Sequence, residues 1–185
     1  STFTKQYIKV PYIRRHSSWK MLRKYPKFYV HTYENAEITV SEINTDVISV
    51  AFQYFGLHDL SEDETKRMHI VNEDGIEYLR ESNKKFDLII NDAFTGKKEQ
   101  RRDEESIQII HDALNEKGIY IVNVPTALSG PFAKKGNAFR KLLQNHFKHT
   151  VLLATQEEKQ PFEKQNVLMI SSDSELLWKQ KKQKI

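Results

Sequence analysis

Hydrophobic and polar positions alternate between two periods along most of the chain. "AEITVSEI" (36–43) is short and β-branched, which predicts a strand. "TDVISVAFQYFGL" (45–57) then places Val47, Ile48, Ala51, Phe52 and Phe55 on one helical face, with Gly56 as a stop. "RMHIV" (67–71) predicts a strand, "DGIEYLRES" (74–82) a short helix, and "FDLII" (86–90) a strand buried on both faces. "DEESIQIIHDALNEKG" (103–118) reads as a helix with acids in its first turn and Gly118 ending it. "IYIVNV" (119–124) is the next strand and "GNAFRKLLQNHF" (136–147) the next helix. The strands "HTVLLAT" (149–155) and "QNVLMISS" (165–172) close the series. The polar stretch between them is too short for a crossover helix, so the pair is expected to be antiparallel.

Strand–helix alternation ending in an antiparallel pair predicts an α/β fold: a three-layer sandwich around a mostly parallel, Rossmann-like sheet. The 185 residues fit a single domain. Its first 35 residues are the poorly defined part. There "YIKVPYI" (7–13) has strand character, but Pro11 lacks a ladder donor and argues for a sheet edge. The aromatics Tyr25, Phe28, Tyr29 and Tyr33 lie near helical spacing and read as core.

Composition narrows the chemistry. With 38% hydrophobic and 29% charged residues the chain is globular, and no apolar run approaches a membrane span. The start "STFTKQYIKV" lacks the apolar region of a signal peptide, and there is no cysteine, so a cytoplasmic setting is expected. Seven histidines are scattered without helical i, i+4 pairing, and no metal site is expected. The net charge, 29 − 25 = +4, lies largely at the two ends and reads as solvated surface, not a nucleic-acid site.

Ligands of an open α/β sheet sit beyond the carboxyl ends of its strands. Three acids fall there: Glu42 after 36–43, Asp74 (before Gly75) after 67–71, and Asp92 after 86–90. One carboxylate can accept from both hydroxyls of a ribose, an acid before a glycine can accept from an exocyclic amine, and an acid beyond an apolar strand suits a base. The bland alternative for each is a helix cap or a turn.

"ITVSEINTDVISVAFQYFGL", "HIVNEDGIEYLRESNKKFDLIINDAFTG" and "LNEKGIYIVNV" together resemble the spermidine synthase-like proteins. These are polyamine aminopropyltransferases on the class I S-adenosylmethionine-dependent methyltransferase fold. The resemblance implies that Glu42 holds ribose hydroxyls, that Asp74 with Gly75 meets the adenine amine, and that Asp92 helps deprotonate the attacking amine. It implies S-adenosylmethionine or its decarboxylated form as co-substrate, a small amine or other acceptor, and a homodimer.

There are departures. "SSWKMLRK" (17–24) stands where the family has a glycine-rich turn, Thr95 where it has a second acid, Asn44 where it has an aspartate, and Asn123 where glutamine is frequent. Most of the family's N-terminal β-hairpin domain is missing from the sequence. Loop 93–102, "AFTGKKEQRR", carries four cations, which suit an anionic acceptor better than a polyamine. Three readings stay open: an aminopropyltransferase-like enzyme, a methyltransferase of unknown substrate, and a non-catalytic relative that has lost the cofactor. The missing glycines fit either a decayed site or an incomplete chain.

Overall fold

The computed structural model describes residues 9–14, 32–33, 35–55, 67–92, 102–156 and 158–176. Seven strands form one mixed sheet: β1 (Lys9–Arg14), β2 (Glu37–Glu42), β3 (Met68–Val71), β4 (Phe86–Asn91), β5 (Leu114–Thr126), β6 (His149–Ala154) and β7 (Gln165–Ser172). Their spatial order is β3-β2-β1-β4-β5-β7-β6. β1 to β5 run parallel, and β7 lies antiparallel between β5 and β6. The described helices are α1 (Thr45–Phe55), α2 (Gly75–Glu81), α3 (Glu104–Ala113) and α4 (Lys134–His146), with a single 3-10 turn at Pro131–Ala133.

The apolar stripes read from the sequence become one core. α2 contributes Ile76 and Leu79, α3 Ile107 and Ile110, α4 Phe139 and Leu143, and the sheet Phe86, Ile89, Tyr120, Val122, Val124 and Met169. Burying such side chains contributes roughly 1.5–3 kcal/mol each. Close approach of α4 to β5 requires glycine at position 136, where a Cβ would collide with Thr126.

Three expectations are corrected. β1 is not an edge strand; it lies between β2 and β4. Pro11 pairs with Thr39 of β2, while the ladder to β4 begins only at Tyr12↔Ile90, so the missing donor falls short of the β4 pairing. The helix expected to run to Gly118 ends at Ala113. Leu114 is extended (φ −81°, ψ 149°) and already pairs with Phe86, after which the register jumps to Leu88↔Ile119. Gly118 is therefore a strand residue at an irregularity, where a Cβ would press on Leu114 and the Asn115 carbonyl at 2.9 Å. Lastly, Tyr33 is 41% exposed and not core. Tyr25, Phe28 and Tyr29 lie outside the described residues.

Candidate active site

The carboxyl ends of the parallel strands carry the polar residues that the apolar strands lack. Ser41 and Glu42 finish β2, and Glu42 is fully buried (0% exposed). Its Oε1 accepts from the Asn44 backbone N–H at 2.9 Å, and its backbone carbonyl accepts from Asn72 Nδ2 at 2.8 Å. Ser41 Oγ donates to the Glu73 carbonyl at 2.6 Å. These bonds tie the β2 tip to the turn after β3, so Glu42 and the Asn72–Asp74 segment form one rigid corner.

Glu42 is not the cap of the helix that follows it. Asn44 takes that place, its Oδ1 accepting from the Asp46 N–H at 2.9 Å. A carboxylate could end the strand without serving the helix, and it remains inside. Asp74, by contrast, does cap a helix: its Oδ1 accepts from the Ile76 N–H at 2.9 Å at the start of α2, and Gly75 is the buried first residue of that helix. The acidic N-cap also meets the positive end of a helix dipole.

Asp92 follows β4, two strands from Glu42 with β1 between them. Strand spacing puts the two tips roughly 10 Å apart, a span suited to an extended ligand laid across the β1 end. Asp92 Oδ1 accepts from Asn123 Nδ2 of β5 at 3.0 Å. Beneath it, Asn91 Nδ2 donates to the Tyr120 hydroxyl at 3.2 Å. Burial pushes the Tyr120 phenol well above its ordinary range, against the opposing pull of its bond to Asn91 and of the Arg102 charge. It stays protonated at any ordinary pH.

Arg102 closes this end of the sheet. Its guanidinium stands 5.0 Å over the Phe139 ring, and Nη2 approaches the Asn123 carbonyl at 3.5 Å. Desolvation lowers its pKa, opposed by the Tyr120 pair, yet a guanidinium remains charged.

The structure thus joins Glu42 to the Asp74 turn, and Asp92 to Asn123. Ser41, Asn72 and Asn91 escaped sequence reasoning; their signal was polarity within one residue of a strand's last position. The "SSWKMLRK" segment, Thr95 and loop residues 93–101 lie outside the described residues. Among the described residues no group of His, Cys, Asp or Glu is arranged to hold a metal, and no helix is long and apolar enough to cross a membrane.

The spermine/spermidine synthase domain profile matches residues 18–129, well over half of the chain. The chain belongs to that family. Within the family, the polyamine aminopropyltransferase of Pectobacterium atrosepticum is 31% identical over 87 residues, which are 46% of this chain and 30% of that protein. The match to this curated relative therefore spans under a third of its length. Among solved structures, a probable spermidine synthase from Corynebacterium glutamicum superposes with a TM-score of 0.73 at 16% identity, over 92% of this chain and 58% of that one. Human Methyltransferase-like protein 13, in complex with SAH, gives 0.70 at 16% identity, over 97% and 75%. At those identities the likeness establishes the fold, a Rossmann-like methyltransferase and spermidine synthase architecture.

Glu42 and Asp74 are acceptors at the tips of neighbouring strands, and hydroxyl and amine groups are donors.

Proposed function

We propose that the chain binds the nucleoside of S-adenosylmethionine or decarboxylated S-adenosylmethionine across the tips of β2 to β4 and transfers an aminopropyl group to a small amine. The observation that carries this reading is Glu42, a carboxylate with no solvent exposure at the mouth of a parallel sheet. Burying a charge there is costly unless hydrogen-bond donors meet it, and the two hydroxyls of a ribose are such donors. Asp74, with Gly75 behind it, presents its carboxylate to the adenine amine while still capping α2. The names of the curated relatives support aminopropyl transfer. A homodimer and a cytoplasmic setting belong to the same proposal.

Bound there, a sulfonium co-substrate supplies an electrophilic carbon and a neutral thioether as leaving group. The protein then has to place the acceptor in line and take its proton. Asp92, at the β4 tip and anchored by Asn123, receives the proton released as the new N–C bond forms and the C–S bond breaks. Methyl transfer is the second reading. The half-buried Arg102 cation near Asn123 favours it, because a diamine carries two positive charges of its own.

The test is isothermal titration of the protein with S-adenosylmethionine, decarboxylated S-adenosylmethionine and methylthioadenosine, repeated on Glu42→Ala. Binding at micromolar levels in the wild type, weakened at least 100-fold in the variant, is the expected result. The preferred co-substrate separates aminopropyl from methyl transfer. A folded wild type that binds none of the three overturns the proposal and leaves the non-catalytic relative.

A further inference from the structure

We propose that Arg102 is a positioning residue for Asp92, acting through Asn123 to keep that carboxylate placed and ionised. The β4–β5 ladder ends at Asn91↔Val122, so both Asp92 and Asn123 lie just beyond the last strand pair. Past that point β4 can no longer hold the two tips together. Side chains take over: the Asn123 amide donates to Asp92 Oδ1 at 3.0 Å, and Arg102 Nη2 approaches the carbonyl of the same Asn123 at 3.5 Å.

The placement of Arg102 is built rather than incidental. It immediately precedes the N-cap Asp103 of α3, whose Oδ1 accepts from both the N–H (2.9 Å) and the Oγ (2.6 Å) of Ser106. That pair of hydrogen bonds fixes where the chain enters the helix. The guanidinium then lies over Phe139 of α4, which anchors its plane from the other side. Arg102 is only partly exposed, and its contacts with the Phe139 ring and the Asn123 carbonyl, not the start of α3, account for its inward turn.

A positive charge held one residue behind a half-buried carboxylate favours the ionised form of that carboxylate. The other titratable groups near the site are Tyr120 on β5, neutral at ordinary pH, and the acids Glu42 and Asp74 on strands farther along the sheet, whose charges oppose ionisation of Asp92. Arg102 is a described cation whose charge opposes theirs. The Asn123 amide adds geometry: it occupies Oδ1 as a donor and sets the plane of the carboxylate.

The inference concerns the base assigned in the proposed reaction, but it can be read without turnover. Carbon-13 carboxyl labelling of aspartate, with the Asp92 signal assigned through Asp92→Asn, gives its titration midpoint directly. We expect the midpoint to rise by roughly one pH unit in Arg102→Met, which keeps an apolar stem over Phe139, and by much less in Arg102→Lys. In the wild type, the Arg102 Nε–H signal should move with the same midpoint and stop moving in Asp92→Asn, a comparison that does not depend on how well any Arg102 variant folds. An Asp92 midpoint unchanged in folded Arg102→Met, or an Arg102 signal indifferent to Asp92, overturns the proposal. Nucleoside titration of the same samples reports separately on the enzyme reading, so either can fail alone.

Discussion

Asp74 shows how one side chain can hold two duties at the residue scale. Its capping bond to Ile76 is present without any ligand, and losing such a bond costs about 1 kcal/mol. Asparagine caps a helix as well as aspartate does but carries no charge. Asp74→Asn should therefore keep thermal stability within about 0.5 kcal/mol of wild type while weakening nucleoside binding roughly tenfold, and Asp74→Ala should lose both. Thermal unfolding and titration on the two variants check this; equal affinity in wild type and Asp74→Asn would reduce Asp74 to a helix cap. The cap was legible in the sequence, since an acid just before a helix fits that pattern, and the adenine contact proposed for the same acid is what these variants test. The bond from Asn72 to Glu42 was not legible, because side chain to main chain bonds across strands depend on register.

At the scale of elements, a polar tie holds the far end of the sheet. Asp173, just after β7, accepts from the Lys148 N–H at 3.0 Å through Oδ1 and meets His111 Nε2 of α3 at 2.9 Å through Oδ2. Desolvation pushes its pKa up, but the Lys148 N–H, the His111 bond and the neighbouring positive charges together hold it below the usual carboxylate range. A carboxyl whose folded pKa is depressed stabilises the fold above its unfolded value, about 3.9, and that stability is lost as pH falls through the lower folded value. The urea midpoint of Asp173→Asn should thus lie below that of wild type at pH 6, and the gap should close on acidification towards pH 3. A gap that does not narrow would mean that the carboxylate charge contributes nothing. Element by element, the sequence was a good guide wherever one local signal dominated: α1, α2, β4 and the closing antiparallel pair fall within a residue or two of expectation. It failed at Leu114–Gly118, where a polar stretch ending in glycine and continuing a helical pattern is drawn into β5 by the Phe86↔Leu114 and Leu88↔Ile119 pairs at its two ends, a long-range effect that local pattern does not carry.

For the whole molecule, the sheet order separates strands that can be lost from strands that cannot. β6 is an edge, and its Val151 and Leu153 are 42% and 36% exposed. Lysine at either position should change stability by no more than about 0.5 kcal/mol, as measured by urea unfolding. β7 is internal, with neighbours on both sides, so a chain truncated after Lys164 should lose its cooperative unfolding transition altogether. A truncated chain that still melts sharply would show that β6 can re-pair with β5 unaided.

The central position of Pro11 and β1, which local reasoning assigned to an edge, belongs to the same scale, because sheet order is a property of the whole chain. It also has a consequence in time. Among the described strands the earliest in sequence, β1, and the last, β7, are both interior to one sheet. A ribosome making this chain delivers β6 ahead of the strand that must join it to β5. Until Ser172 has cleared the exit tunnel, β6 has no neighbour to pair with and β5 keeps an open flank. Nascent chains stalled before residue 165 should therefore be the ones that recruit chaperones.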